Sequence, residues 1–214
     1  LVARRLQDEQ DNFAPQLPAD LLPEWQAFFD YRHKKNRQLQ EVSNNLQNMV
    51  HWLKHRTFHE EHHGRQEIDL NELLAEELAG YQTEEFFKHR VQKNFQWLEQ
   101  LSPIPGFYID FSQIFCNLID NALEALREVS EPVLSLTTTM AGGRRVIAVG
   151  DNGPGIPGEI QDRIFEPFFS TRNTPKNPRV GLGLFLSRRL LAPYNGELSC
   201  DSRPGMTWFR VVLP

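Results

Sequence analysis

The sequence predicts an α+β protein in which a long helix precedes a two-layer α/β sandwich of helices and mainly antiparallel strands. Residues 24–63 contain neither proline nor glycine and carry an apolar repeat of helical spacing. Beyond residue 64, helical segments and short β-rich segments are separated by glycine and proline turns. Their order segregates helices from strands, which is typical of an α+β sandwich. We therefore divide the chain into a helical region, residues 1–63, and a second domain, residues 64–214.

The composition of the chain argues against a nucleic-acid-binding protein, a membrane span and a disulfide-rich fold. The chain has 214 residues and a formal net charge of −5, and this acidity argues against a nucleic-acid partner, which needs a clustered basic face. No apolar run reaches the ~20 residues that span a bilayer, and no signal peptide opens the chain. Two cysteines, Cys116 and Cys200, are too few for a disulfide scaffold and favour a cytoplasmic setting. Because the chain begins at Leu1, we expect a fragment, with any membrane segment upstream of it.

The helical region carries a regular apolar seam. Its residues recur at alternating spacings of three and four: Leu39, Val42, Leu46, Met49 and Leu53. This heptad pattern predicts a helix that packs along a partner helix, with the surrounding polar residues facing water. We expect the helix to end at Gly64.

The second domain shows local signals for its elements. Asp69 with Glu72 three residues later predicts a capped helix start, and Asp110 with Gln113 predicts a second one. The glycines of Ala141-Gly142-Gly143 predict a hairpin turn. The other expected elements are helices over 110–127 and 183–191 and strands over 91–97, 133–139, 144–150, 197–202 and 206–213.

Asn117 and Asn121 lie one turn apart on the helix over 110–127 and therefore share a face. Two neighbouring amide oxygens can ligate a hard cation such as Mg²⁺, which completes its shell with water and phosphate oxygens. The alternative is a purely structural role for the two amides.

A strand end carries the second candidate group. Asp151 follows the strand over 144–150 and precedes Gly153, Gly155 and Ile156. A carboxylate fixed there can accept a hydrogen bond from an exocyclic amine such as that of adenine, and glycines let the backbone approach a planar ring. Aspartate and glycine also form ordinary turns, so a turn remains the alternative.

Two more candidate groups follow along the chain. Three aromatic residues, Phe165, Phe168 and Phe169, are interpreted as core or hinge packing. The polar residues that could meet phosphate oxygens are Thr171, Arg172 and Lys176, and the alternative is an ordinary polar loop. The last group lies at the start of a helix and consists of Gly181, Leu182, Gly183 and Leu184. The unpaired backbone amides of a helix start can bind phosphate. The alternative is that the glycines only cap the helix.

In this order, over about 70 residues, the four groups resemble the N, G1, F and G2 boxes of histidine kinases. These kinases belong to a wider ATPase family that includes gyrase and shares a Bergerat-type ATP-binding fold. The resemblance covers residues 66–214, and the final stretch GELSCDSRPGMTWFRVVLP resembles the last hairpin of that domain. The resemblance implies that this domain binds ATP and Mg²⁺.

The resemblance also implies a role for each group. Asp151 would bind the adenine amine, while Asn117 and Asn121 would hold the metal and the phosphates. A lid would extend over 171–183. The nucleotide-contacting residues would be Asn117, Asn121, Asp151, Gly153, Gly155, Ile156, Phe165, Thr171, Arg172, Lys176, Gly181, Leu182, Gly183 and Leu184.

In the helical region, the stretch LQEVSNNLQNMVHWLKHRTFHEEHHGRQEIDLNELL resembles the second helix of the kinase dimerisation hairpin. The resemblance implies a homodimer that transfers the γ-phosphoryl group of ATP to a histidine outside this chain, for relay to an aspartate of a response-regulator receiver domain. It assigns no catalytic residue within the chain. The alternative is a nucleotide-sensing module or phosphatase of the same fold without kinase activity. A gyrase-like hydrolase would need a glutamate where Asn117 stands, because an amide cannot take a proton from water.

Some features depart from the family pattern. Asn177-Pro-Arg-Val180 stands where a Gly-x-Gly-Thr run is usual, and Arg172 stands in place of a lysine. Prolines in the lid restrict its backbone, so we expect altered lid dynamics and nucleotide affinity.

The histidines of the helical region offer two further hypotheses. His33 is the best phosphoacceptor candidate within the chain, but Lys34 follows it where an acidic residue is usual. His51 and His55 have the one-turn spacing of a metal pair, yet they lie off the seam, where a solvated polar face is the simpler interpretation.

Overall fold

The computed structural model describes residues 64–171 and 181–214 and, nearer the start of the chain, residues 18, 21–23, 25–32 and 35. The chain divides into two compact units, Leu1–Leu53 and Lys54–Pro214. The apolar seam, His33, His51 and His55 lie outside the described residues, as do Arg172, Lys176 and the stretch Asn177-Pro-Arg-Val180. The domain boundary that the sequence predicts between residues 63 and 64 stays a prediction.

In the first unit, residues 25–32 are helical, in agreement with the helix predicted from about residue 24. Phe29 is buried, and its ring lies 4.8 Å from that of Trp25. Phe28 and Tyr31 are 51% and 60% exposed on the same helix. This segment therefore has one packed aromatic side and one side that presents aromatic rings to its surroundings.

The second unit contains four helices and seven strands among its described residues. In chain order they are β1 (Gln66–Ile68), α1 (Leu70–Tyr81), α2 (Glu85–His89), β2 (Gln92–Gln96), β3 (Ile104–Gly106), α3 (Tyr108–Leu126), β4 (Val133–Ala141), β5 (Arg144–Asp151), α4 (Gly183–Leu191), β6 (Glu197–Arg203) and β7 (Met206–Leu213). Short 3₁₀ turns occur at Gly158–Ile160, Arg163–Phe165 and Ala192–Tyr194. None of the described helices is both long and apolar enough to cross a membrane.

The main sheet has five strands in the order β2-β4-β5-β7-β6. β2 pairs in parallel with β4, and the other neighbours in this sheet are antiparallel. β1 and β3 form a separate antiparallel pair. Gly142 and Gly143 join β4 to β5 with φ angles of 58° and 77°, as a two-residue hairpin turn requires. The predicted α+β sandwich is confirmed.

Helix α3 lies at the centre of the helical layer. It packs on β4 and β5 of the sheet and has α1 and α4 as its helical neighbours. Nine of its residues are buried: Asp110, Phe111, Ile114, Phe115, Leu118, Ile119, Ala122, Leu123 and Leu126. The sheet buries alternating side chains, such as Leu134 and Leu136 on β4 and Phe209 and Val211 on β7. The rest of α3 forms a polar edge.

The two predicted helix caps have different outcomes. Asp69 caps α1, because its Oδ1 accepts hydrogen bonds from the backbone N–H groups of Asn71 at 2.8 Å and Glu72 at 3.2 Å. The predicted cap at Asp110 is wrong, since α3 begins at Tyr108 and Asp110 lies buried in its first turn. The reason is a tertiary contact: the Tyr194 hydroxyl donates to Asp110 at 2.6 Å.

The Tyr194 hydroxyl also accepts a hydrogen bond from the Phe107 N–H at 3.1 Å, so one side chain satisfies both the helix start and the buried carboxylate. Burial and the bond to Asp110 raise the pKa of Tyr194, and the hydroxyl therefore stays protonated at neutral pH.

Replacing Tyr194 by phenylalanine tests this arrangement. Tyr194→Phe removes a donor from buried Asp110 and an acceptor from Phe107, so we expect it to lower the free energy of unfolding by about 1–3 kcal/mol in urea titrations. Tyr108→Phe is the matched control, because Tyr108 donates to Glu76 at an exposed position and its loss should cost under about 0.5 kcal/mol. Equal effects of the two variants would contradict a special role for the buried hydroxyl.

Candidate nucleotide-binding site

Asp151 is the last residue of β5 and is 7% exposed. Its Oδ1 accepts a hydrogen bond from the Gly153 N–H at 2.9 Å, which turns the chain away from the sheet. In the sheet register Asp151 lies opposite Thr207 of β7, whose side chain is also buried. The strand end therefore places a carboxylate and a hydroxyl side by side in the interior.

The loop after Asp151 lies against helix α3. A Cβ atom added to Gly153 would lie 2.6 Å from Asp151 Oδ1 and 2.9 Å from the Ala125 Cβ, so no larger residue fits there without movement. Ala125 lies one helical turn beyond Asn121. The carboxylate end of the candidate site is thus fixed to the C-terminal part of α3.

Hydrogen bonds anchor this loop to the hairpin of β6 and β7. The Ile156 N–H donates to Ser202 Oγ at 2.8 Å, and Gln161 Nε2 donates to the carbonyls of Ile156 and Ser202, each at 2.8 Å. Ser202 Oγ in turn lies 2.9 Å from Thr207 Oγ1. Gly155 has a φ of 82°, and a side chain there would also collide with the Arg203 carbonyl. The backbone around Asp151 is therefore fixed from two sides.

Asn117 and Asn121 lie half-buried one turn apart on α3, so they share a face of the helix as predicted. Asn117 Nδ2 donates to the Gly183 carbonyl and to Ser187 Oγ, both at 3.2 Å. Gly183 is the first residue of α4. The structure therefore brings the first and last predicted groups together, although 66 positions separate them in the chain.

The aromatic group packs beneath α4 and beside its N-terminus. Phe165 is buried, and the Arg188 guanidinium lies 3.4 Å from its ring centroid. Arg163 lies over the ring of Phe169 at 4.5 Å. Phe168 is 56% exposed and has a φ of 65°. The contacts of Phe165 and Phe169 agree with the packing role interpreted for the group, whereas the exposure of Phe168 does not fit core packing. Whether Phe165 also contacts a nucleotide stays a prediction.

The glycine group forms the start of α4. Gly181 has a φ of 67°, and a side chain there would collide with the Phe169 carbonyl. Leu182 is buried, whereas Gly183 and Leu184 are half-buried. Thr171 is exposed and directly precedes residues 172–180, which lie outside the described residues. The proximity of Thr171, Arg172 and Lys176 to phosphate therefore stays a prediction.

The site residues fit a nucleotide and a hard cation. In the described part of the chain, no three His, Cys, Asp or Glu side chains converge to hold a metal. On the α3 edge, the amide oxygens of Asn117 and Asn121 together with phosphate oxygens would be a donor set that suits Mg²⁺. The glycines after Asp151 let the loop lie directly against Ala125 and the Arg203 carbonyl, which fixes the shape of the backbone beside the carboxylate.

Several residues of the site had no role assigned from the sequence. Thr207 could have been found from strand pairing, because it faces Asp151 once the register is known. Ser187 lies four residues after Gly183 and thus on the same face of α4, which is a weak signal. The side chains of Ser202 and Gln161 hydrogen-bond to backbone groups of the loop and the hairpin, and no sequence pattern indicates such contacts.

The fold and the site together define an ATP-binding domain. Residues 107–214 match the family described as histidine kinase-, DNA gyrase B- and HSP90-like ATPases, and the chain belongs to this family. Its relatives are sensory histidine kinases, and the matched region is a histidine kinase catalytic domain.

Individual relatives support this assignment. The chain is 39% identical over 125 residues to the sensory histidine kinase/phosphatase NtrB of Rhodobacter capsulatus. The aligned region covers 53% of this chain and 34% of that protein. It thus spans about a third of that relative's length. The solved catalytic domain of histidine kinase ThkA is 26% identical, with a TM-score of 0.60 over 70% of this chain and 95% of that one.

A further solved structure shares the fold alone. The full-length histidine kinase ShkA in complex with AMPPNP is 19% identical, with a TM-score of 0.62 over 99% of this chain and 45% of that one.

Glycine substitutions test the loop that follows Asp151. Gly155→Ala forces a side chain into a left-handed conformation against the Arg203 carbonyl, so we expect it to lower the free energy of unfolding by more than about 1 kcal/mol. Gly158→Ala is the control in the same loop, because nothing lies within 4 Å of its added Cβ and its φ is ordinary. Urea titrations that give both variants the stability of the parent would contradict the anchored loop.

Proposed function

We propose that this domain binds ATP with Mg²⁺ along helix α3 and transfers the γ-phosphoryl group to a histidine outside this chain. One observation carries the proposal: α3 joins the two ends of the site. Asn117 contacts Gly183 at one end, and Ala125 lies against Gly153 and the Asp151 loop at the other. Eight residues of helix separate Asn117 from Ala125, about 12 Å at 1.5 Å per residue. This length suits a nucleotide whose base and phosphates bind at opposite ends.

The Asp151 end would hold the adenine. A carboxylate has two oxygens that each accept more than one hydrogen bond, so Asp151 can bind the Gly153 N–H and still accept from the exocyclic amine. The buried Thr207 hydroxyl beside it would be a second polar contact for the ring. Gly153 and Gly155 would shape the pocket by letting the loop pack against Ala125 and the Arg203 carbonyl, and Ile156 would line its edge.

The Asn117 end would hold the phosphates. Mg²⁺ neutralises phosphate charge and orients the γ-phosphoryl group when it is bound. Asn117 and Asn121 would bind it through their amide oxygens, and the backbone amides at the start of α4 would face the phosphate oxygens. Arg172 and Lys176 would add positive charge from the lid, whose backbone the prolines restrict.

The proposed reaction is a phosphoryl transfer in which one bond to phosphorus forms and one breaks. A ring nitrogen of the acceptor histidine forms a bond to the γ-phosphorus while the bond to the oxygen that bridges the β- and γ-phosphates breaks, and ADP leaves. The ring then loses its N–H proton to solvent. In the relay, a carboxylate oxygen of the response-regulator aspartate forms a bond to the phosphorus while the P–N bond breaks, and the histidine is regenerated. Among the described residues we assign no general base. The protein contributes positioning and charge neutralisation.

Water is a poor alternative acceptor in this site. A hydrolase of this fold would need a group at Asn117 that takes a proton from water, and the Asn117 nitrogen instead donates to the Gly183 carbonyl. A nucleotide-sensing module or phosphatase would keep the same binding site without transfer to histidine, so the transfer experiment below separates it from the kinase.

We further propose that the helical region forms a homodimer and that the domain works in the cytoplasm. The heptad seam supports the first proposal, and the aromatic rings exposed on residues 25–32 give the same region additional apolar surface. The free thiols of Cys116 and Cys200 and the use of ATP support the second.

An aspartate substitution tests the adenine end. Asp151→Ala should weaken ATP binding by about 1–3 kcal/mol, because the adenine amine loses its acceptor in a buried site. Asp201→Ala is the matched control, since Asp201 lies on β6 in an exposed ion pair with Arg210 at 3.5 Å. Calorimetry should show the parental affinity for Asp201→Ala. Parental affinity for Asp151→Ala would place the adenine elsewhere.

Labelled ATP tests the transfer. We expect this chain alone to acquire no stable acid-labile label from γ-labelled ATP, because the acceptor histidine lies outside it. The full-length protein should acquire acid-labile label, and Asp151→Ala should greatly reduce it. Label on His33 of this chain would overturn the assignment of the acceptor, and ATP binding without label on the full-length protein would favour the sensing module or phosphatase.

A further inference from the structure

The Asn117 side chain is held by three hydrogen-bonding partners. Its Nδ2 donates to the Gly183 carbonyl and to Ser187 Oγ, both at 3.2 Å, and its Oδ1 accepts from Gln113 Nε2 at 3.1 Å. Ser187 is fully buried, and its hydroxyl donates to the Gly183 carbonyl at 2.9 Å. Gln113 precedes Asn117 by one helical turn, so the two side chains lie on the same face of α3.

This pattern of partners fixes which way the Asn117 amide points. A backbone carbonyl only accepts hydrogen bonds, so the atom that faces Gly183 has to be the amide nitrogen. Ser187 uses its hydrogen on the same carbonyl and therefore presents a lone pair to that nitrogen. The amide oxygen consequently faces Gln113, which has to turn its own nitrogen toward it. A rotation of 180° would set two oxygens against each other at Gly183.

We propose that Gln113 is a positioning residue for the cation, because it holds the Asn117 oxygen in the orientation that metal binding requires. This inference rests on the proposed function, in which that oxygen ligates Mg²⁺. An amide oxygen has two lone-pair sites, and Gln113 occupies one of them, which leaves the other for a cation. Groups that orient a ligand in this way commonly set the metal affinity of a site.

Gln113 differs from Ser187 in what its bond connects. Gln113 bonds to a residue of its own helix, whereas Ser187 connects α3 to α4 through Asn117. Loss of the Gln113 donor therefore leaves the packing of the helical layer in place. Loss of the Ser187 hydroxyl removes a buried link between two helices, while the Gly183 carbonyl still holds the Asn117 nitrogen.

The test replaces the donor by an apolar side chain of similar length. Gln113→Met should weaken Mg²⁺ binding to the ATP-saturated protein about tenfold in calorimetric titrations with magnesium chloride. ATP binding measured in EDTA and the urea unfolding midpoint should stay at their parental values. Ser187→Ala is the counterpart, and we expect it to lower the unfolding midpoint while changing Mg²⁺ affinity less than Gln113→Met does.

The outcomes separate positioning from a purely structural role. If Gln113→Met weakens ATP binding equally with and without Mg²⁺, or shifts the unfolding midpoint as Ser187→Ala does, the positioning role is wrong. If the parent binds ATP with Mg²⁺ and Gln113→Met has the same Mg²⁺ affinity, the positioning role fails while the proposed function stands. If the parent binds no ATP, the proposed function fails and the positioning role fails with it.

Discussion

The burial of helix α3 is the constraint on which the rest of the second unit depends. Its nine buried residues fill the space between the sheet and the neighbouring helices, and the same packing aligns its polar edge between the Asp151 loop and α4. Removal of apolar volume from the buried side would therefore misplace Asn117 and Asn121 as well as weaken the fold, because one rigid helix carries both sets. In this domain the packing of the core determines the geometry of the proposed nucleotide site.

The features that sequence reasoning located correctly are set by neighbours in the chain. The Asp69 cap needs only the two backbone amides that follow it, and the turn at Gly142 and Gly143 needs only positive φ angles. The features that it missed depend on distant partners. Asp110 has the local pattern of a cap, but a hydroxyl 84 residues away binds it instead. The four candidate groups were predicted from their order along the chain, whereas the contact between Asn117 and Gly183 required the three-dimensional fold.

Polar contacts hold α3 on both sides, with different chemistry on each. Toward α1, Ser112 and Cys116 donate to the two oxygens of Glu77, at 2.6 and 3.0 Å. Burial and the bond to Glu77 raise the pKa of Cys116 to about 12, so its thiol stays protonated at neutral pH and acts as a donor. Both cysteines are half-buried, which is less than the complete burial usual for a free thiol. Toward α4, the contacts run through the amide of Asn117. The central helix therefore contacts α1 through a carboxylate and contacts α4 at the proposed phosphate end of the site.

The pairing of Asp151 with Thr207 has a consequence for how the domain tolerates change. The chain leaves the sheet after Asp151 and returns to it at Glu197 of β6, and β7 then places Thr207 opposite Asp151, so both ends of the intervening stretch are fixed by strand hydrogen bonds. The entropic cost of lengthening a flexible loop grows slowly, by about 0.6 kcal/mol for each doubling of its length. Insertions between Thr171 and Gly181 should therefore leave the sheet register unaltered. Natural divergence or laboratory recombination could therefore change the length of this stretch, and with it the proposed lid, while the central strands stay the same.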